Sequence, residues 1–191
     1  MLKRILTLSI LAICVYLNPP LSQAEEKYIL EGPVYLAVNI HYQDSVRGIK
    51  ASYANYTDSG AGHGILAVNT PVQIKKGRRS GFIIVDDETN KEIVFEYNKD
   101  RMHMSINECL EKITLPVKVD LRSLSELDRK GIKEGVAKLG MSKKGIMMAL
   151  GYPAAHKTPS LEDNRWIYWK DRIRTLIITF SDKGVVSHIR G

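Results

Sequence analysis

Gly140-Met141-Ser142-Lys143-Lys144-Gly145-Ile146-Met147-Met148-Ala149-Leu150-Gly151-Tyr152-Pro153 reads as a short helix whose start and stop are both written into it. Ser142 is a good N-cap, because its hydroxyl can accept a bond from an otherwise unpaired N–H of the first turn. Met141 before the cap and Ile146 after it are spaced for a hydrophobic staple. Gly151 can take the left-handed conformation that ends a helix, and Pro153 cannot continue one.

Upstream, Ser123 and Glu126 have the spacing of a capping box. Leu124, Asp128, Ile132, Val136 and Leu139 then share one helical face, interrupted by a single acid. Gly131 and Gly135 weaken that helix by about 1 kcal/mol each relative to Ala, and offer room for close packing. Downstream, Trp166–Trp169, Leu176–Phe180 and Val185–Ile189 read as three strands, with Ser181-Asp182-Lys183-Gly184 as the last hairpin turn. The C-terminal unit is therefore expected to be α-α-β-β-β, a helical pair on one face of an antiparallel meander.

This ordered set resembles the SmpA/OmlA domain. It comprises Gly140-Met141-Ser142, Ala149-Leu150-Gly151-x-Pro153, the aromatic strand with Trp166 and Tyr168, Leu176-x-Ile178-x-Phe180, and Gly184-Val185 before a final strand. That domain is the fold of the outer-membrane assembly factor BamE, related in shape to β-lactamase inhibitor proteins. The resemblance covers residues 123–191. It implies a periplasmic, non-enzymatic module serving outer-membrane or envelope assembly by binding a protein or anionic lipid. The chain departs from BamE in lacking a convincing lipobox, in carrying an extra β-rich unit in front, and in the loop Ala154-Ala155-His156-Lys157-Thr158-Pro159-Ser160-Leu161.

The preceding stretch, residues 25–116, reads as a β-rich domain ending in a helix. Strand-like runs at Val34–Ile40, Ile49–Tyr56, Ile65–Val68, Val72–Ile74, Phe82–Val85 and Ile93–Tyr97 alternate with turns, which suits a small all-β sheet or barrel of SH3-like size. Ser105 and Glu108 form a capping box, and Ile106, Cys109, Leu110 and Ile113 make an apolar stripe. Leu115-Pro116 ends that helix, and a domain boundary is expected near Pro116. The fold class expected is α+β.

Residues 1–24 read as a signal peptide: Lys3 and Arg4, an apolar run from Ile5 to Leu17 shorter than the ~20 residues of a spanning helix, then Ser22-Gln23-Ala24. Leu11-Ala12-Ile13-Cys14 only partly resembles a lipobox, since Ile13 stands where a small residue is needed, so Cys14 reads as part of the signal core. Cleavage after Ala24 removes the cations Lys3 and Arg4 and takes the net charge from +7 to +5. The chain is then an exported, mildly basic protein of the periplasm or the periplasmic face of the outer membrane. Cys109 is its one remaining cysteine, so no internal disulfide is expected.

The loop Tyr152–Leu161, stiffened by two prolines, is the most function-like segment. Tyr152, His156 and Lys157 on it, with Trp166, Tyr168, Trp169 and Arg172 on the strand beyond, are the candidate binding residues. Aromatics interleaved with cations suit anionic lipid headgroups or a protein hot spot. Strand alternation puts Trp166 and Tyr168 on one face and Ile167 and Trp169 on the other, and one of these faces must be core.

Lys75, Lys76, Arg78 and Arg79 form a basic turn, and Gly60–Gly64 is a flexible connector lacking the Lys-Ser/Thr of a phosphate loop. His41, His63, His103, His156 and His188 are scattered with no zinc spacing, and no nucleophile–base order or paired carboxylates stand out. Neither metal nor cofactor is expected, nucleic acid is a poor fit, and the role expected is binding rather than catalysis. Two other readings stand beside it: a secreted inhibitor-like protein that binds a hydrolase, and an enzyme using Cys109 or His156.

Overall fold

Alternating side chains decide which face of each strand is buried. In β5 (Pro71–Lys76) Val72 and Ile74 point inward, and in β7 (Glu92–Glu96) Ile93 and Phe95 do the same between exposed glutamates. Between them β6 (Gly81–Asp86) pairs antiparallel with both, and Phe82 stacks on its cross-strand partner Phe95 at 4.6 Å between ring centroids. The computed structural model describes residues 32–54, 56–77 and 81–191. The expected signal segment with Cys14, and Arg78 and Arg79 of the basic turn, lie outside the described residues.

Five more strands complete an eight-stranded sheet: β1 (Val34–Leu36), β2 (Ile40–Ser45), β3 (Gly48–Ser52), β4 (His63–Leu66) and β8 (Thr114–Leu115). Their order is β4-β2-β3-β7-β6-β5-β1-β8, antiparallel except for the parallel pair β3–β7. Helix α1 (Lys99–Met102) is a single turn after β7. Helix α2 (Ile106–Ile113) begins at the capping box expected of Ser105 and Glu108. It buries Ile106, Cys109, Leu110 and Ile113 in the same cluster as Val72, Phe82 and Ile84.

The second cluster is built by α3 (Glu126–Glu134), α4 (Lys143–Leu150) and the antiparallel meander β9 (Arg165–Trp169), β10 (Thr175–Phe180) and β11 (Val186–Arg190). The element order α-α-β-β-β expected of this part is present, and the described chain is mixed α+β with two sheets and four helices. Ser142 caps α4 by accepting from the Gly145 N–H, and Met141 and Ile146 are both fully buried. Gly184 turns the last hairpin at φ 71°.

Several expectations are corrected. The cap of α3 is Ser125, accepting from the Asp128 N–H, while Ser123 lies in a preceding 3-10 turn. That helix stops at Glu134, because Gly135 adopts φ 66° and closes it, and so Val136 and Leu139 are exposed rather than on the apolar face. Gly151 has positive φ, but with ψ −170° it extends the chain instead of closing a left-handed cap. The run Val34–Ile40 is two strands, since Asn39 turns inward between them to bond the helices. Leu115 lies in a strand paired with Tyr35 rather than at a helix end.

The two clusters meet closely. Val68 of the first half packs into the second cluster, and Met147 touches both. The Asn39 N–H donates to Met148 O at 2.9 Å, and Thr57 and Asp58 N–H donate to Trp169 O and Lys170 O at 2.9 and 3.0 Å.

Candidate functional site

The loop after α4 is pinned at several points. The Tyr168 hydroxyl donates to Gly151 O at 3.0 Å, which fixes where the loop starts. Lys157 and Thr158 N–H both donate to Ala154 O, a tight turn around a buried alanine. The Thr158 hydroxyl accepts from Ile167 N–H at 2.9 Å, and Lys143 Nζ donates to the carbonyls of Leu161 and Glu162. A loop held this way presents its side chains in fixed positions.

The seven candidate residues divide by location. Trp166 is 1% exposed, packs edge-on against Phe180 and donates through Nε1 to Leu161 O. Tyr168 is fully buried. Both belong to the core face that strand alternation anticipates, so they hold the loop in place and offer no surface. On the opposite face Trp169 lies beside His156, with ring planes 22° apart and centroids 6.4 Å apart, and Lys157 Nζ sits 5.6 Å from the indole centroid. Tyr53, just after β3, also lies beside His156, with ring centroids 6.4 Å apart and planes tilted by 59°. Tyr152 is half-buried against the first cluster, with Lys112 Nζ 5.3 Å from its ring. Arg172 is exposed on the β9–β10 turn.

Neither ring nitrogen of His156 makes a well-formed hydrogen bond. Burial, and then the cations Arg101 and Lys157, hold its pKa below the ordinary histidine value. The nearby Arg101 carbonyl opposes this without reversing it. The ring is neutral at neutral pH. Cys109 is buried in the core, and burial pushes its thiol up to about 12. A protonated buried thiol is not a nucleophile.

Two hollows adjoin the loop. A mainly apolar slot of about 50 Å³ is lined by Val38, Ile40, Phe95, Cys109 and Ile113, with Ser52 and Lys112 also on its wall. It opens between Met102 and Met104 on one side and Tyr152, Pro153 and Ala155 on the other. Those five residues, with Lys112, also line a broader open groove of about 680 Å³, whose far wall carries Glu108, Glu111 and Pro159.

A separate polar cleft of about 400 Å³ runs along β3, between the β2–β3 and β9–β10 hairpin tips. Ser45 and Arg47 line it from one tip and Asp171, Arg172 and Ile173 from the other. Each tip carries a fully projecting aliphatic side chain, Val46 at 104% exposure and Ile173 at 88%, next to an exposed arginine. Arg174 is tied to Asp171 at 2.6 Å, leaving Arg47 and Arg172 as the arginines lining the cleft.

Three polar groups were not singled out from sequence. His41 Nδ1 and His63 Nε2 are 3.0 Å apart and their rings stack at 5.2 Å. They meet because β4 folds back on β2, with Gln43 opposite His63, a long-range register that scattered histidines do not announce. His41 Nε2 lies 2.9 Å from Ala149 O, which can only accept, so this nitrogen carries the proton and Nδ1 accepts from His63. Asn39 bonds Ile132 O, Ala149 O and Val68 N–H. Among the described residues no group of three or more His, Cys, Asp or Glu is arranged to hold a metal ion, and no helix is long and apolar enough to cross a membrane.

Comparison with family models, with curated proteins and with solved structures finds no match to the chain.

Proposed function

We propose that the protein is an exported, non-enzymatic binding module of the bacterial envelope. Its first half is a β-rich unit of SH3-like size and its second half an SmpA/OmlA-like module, together docking on an envelope surface, an anionic lipid headgroup layer or a protein partner. The observation that carries this reading is the pair of hairpin tips. Val46 and Ile173 are exposed aliphatics on two turns bordering one cleft, each beside an arginine. Aliphatic side chains so fully presented to water lower the free energy when they enter an interface, by roughly 1.5–3 kcal/mol each if fully buried. Cations beside an anionic layer add about 1 kcal/mol each. The mature net charge of +5 that follows from signal cleavage acts in the same sense.

Vesicle flotation tests it. The mature chain should float with vesicles of phosphatidylcholine containing phosphatidylglycerol and not with phosphatidylcholine alone. Val46→Asp combined with Ile173→Asp should abolish flotation. Binding that occurs but ignores the double substitution removes the tips from the reading. Absence of vesicle binding, together with no capture of any envelope protein that the double substitution weakens, removes the reading itself. Mass spectrometry of the protein recovered from the periplasm should place its N-terminus at Glu25.

A further inference from the structure

We infer that the slot between α2 and the Tyr152–Leu161 loop is a receptor for one aliphatic side chain of a protein segment that carries a lysine or arginine close to that side chain. The size of the slot sets the anchor. A cavity of about 150 Å³ takes the six carbons of benzene, so about 50 Å³ of room takes about two carbons. That is the two terminal methyls of a leucine, with the rest of the side chain in the wider mouth, or the thioether end of a methionine; an indole is too large and an alanine is too short to reach it. The lining is chiefly apolar, with Ser52, Lys112 and two tyrosines as the exceptions, so a polar anchor would find few partners.

The mouth is built to adapt. Met102 and Met104 are half-buried and unbranched, and thioether side chains reshape around differing apolar guests. The opposite lip is rigid, because Pro153 and Ala155 sit on the loop pinned by Tyr168, Thr158 and Lys143. A flexible lip facing a fixed one gives a site that accepts a side chain of the right volume without fixing its branching.

The rim decides between a peptide and a lipid chain. An acyl chain could place its last methylenes in the same slot, but its anionic headgroup would then lie in the outer groove. That groove carries the carboxylates of Glu108 and Glu111 against the single ammonium of Lys112, whose Nζ lies over the Tyr152 ring, with the His103 imidazole beside them. Glu108 is held in its charged form by the Ser105 N–H and hydroxyl. Excess negative charge disfavours an anionic headgroup and favours a cationic neighbour of the anchor. The open groove, with about 680 Å³ of room next to the slot, leaves space for the backbone of a segment while one side chain turns inward. This site is separate from the hairpin-tip edge and stands whether or not that edge binds an envelope surface.

The test uses the mature chain with methyl-labelled methionine and three probes: acetyl-Lys-Leu-Lys-amide, acetyl-Lys-Ala-Lys-amide and sodium decanoate. The leucine peptide should shift the Met102 and Met104 methyl resonances saturably, at concentrations at least about tenfold lower than the alanine peptide. Full burial of the three additional carbons would give roughly 60-fold, so tenfold is the floor reached with partial burial. Glu111→Lys, an exposed change, should weaken the leucine peptide by several fold. Ala155→Leu, which fills the mouth, should abolish its effect. Decanoate binding more tightly than the leucine peptide assigns the slot to acyl chains and overturns the proposal. Equal binding of the leucine and alanine peptides, or no methyl shifts with either, overturns it too. If Ala155→Leu fails to fold, the leucine–alanine ratio and Glu111→Lys decide the question.

Discussion

The side-chain amide of Asn39 donates to the carbonyl of Ala149 at 3.0 Å, joining the bend before β2 to the last turn of α4. The same amide donates to Ile132 O in the last turns of α3 at 2.7 Å, and Oδ1 accepts from Val68 N–H at 2.9 Å. One residue of the first half thus bonds carbonyls near the C-termini of two helices of the second, where helix geometry leaves acceptor capacity to fill. Asn39→Ala removes three buried hydrogen bonds at once and leaves the Val68 N–H unpaired, while Ala149 O keeps His41 Nε2 and Ile132 O keeps the Gly135 N–H; it should cost about 3 kcal/mol. Asn39→Asp should cost more, because it turns a carboxylate toward two carbonyl oxygens. Urea unfolding of both variants checks the order; an aspartate variant as stable as wild type removes the bridging role.

The next contact along β2 gives a pH dependence. His41 is pushed from 6.5 down to about 4, chiefly by burial, then by His63, against the opposing bond to Ala149 O. The folded pKa lies below the unfolded one, so the folded protein holds fewer protons between these values. Stability is full above pH 6.5 and falls as the pH drops toward 4, by about 3 kcal/mol in total. His63, also lowered by burial though raised in part by Asp58, acts in the same direction. The urea midpoint should fall between pH 7.5 and pH 5, and His41→Gln should flatten that fall. An unchanged slope in His41→Gln would place the dependence elsewhere.

These two residues show where sequence reading works and where it stops. Capping, staple and turn signals are local. Ser105 with Glu108, Ser142, the Met141–Ile146 staple and Gly184 all act within a few residues, and all lie where the sequence places them. The cap of α3 was misplaced by two residues because Ser123 and Ser125 both carry the signal and only packing chooses. Val136 and Leu139 fit the helical period, yet Gly135 ends the helix before them. Alternation correctly divided Trp166 and Tyr168 from Trp169, but could not tell which face was core. Asn39, His41 and His63 act through partners as far as 110 positions away, and no local pattern encodes such a meeting. The apolar slot likewise joins β2, β7, α2 and a loop that are adjacent only after folding.

The acid that interrupts the α3 face is a second junction. Asp128 is 3% exposed and accepts from both the N–H and the hydroxyl of Ser142, at 2.8 and 3.0 Å. The carboxylate therefore binds the cap of the next helix, and Gly145 in that helix's first turn packs against it so closely that a Cβ would overlap Asp128 Oδ1. In an open helix Gly→Ala gains about 1 kcal/mol. Here Gly145→Ala should instead lose about 2 kcal/mol, as overpacked core sites do. Thermal unfolding reads the sign directly, and a stabilised alanine variant would show that the two helices separate more readily than the contact implies.

Cys109 lines the apolar slot and gives a chemical probe of it. With the thiol pushed up to about 12, its thiolate fraction at pH 8 is about 10³-fold below that of an unperturbed cysteine. In a Cys14→Ser chain, which leaves Cys109 as the single cysteine, iodoacetamide should label the native protein at least that much more slowly than the urea-unfolded protein. Because Cys109 is also 2% exposed, opening of the α2 region must precede reaction, so any variant that loosens α2 should speed labelling. Ser105→Ala is the cleanest such variant: it removes the capping box that starts α2 and leaves the slot lining untouched. It should lower stability by about 1 kcal/mol and raise the labelling rate by several fold. Native labelling as fast as in urea would mean an accessible, activated thiol, and would revive the reading of Cys109 as a catalytic nucleophile.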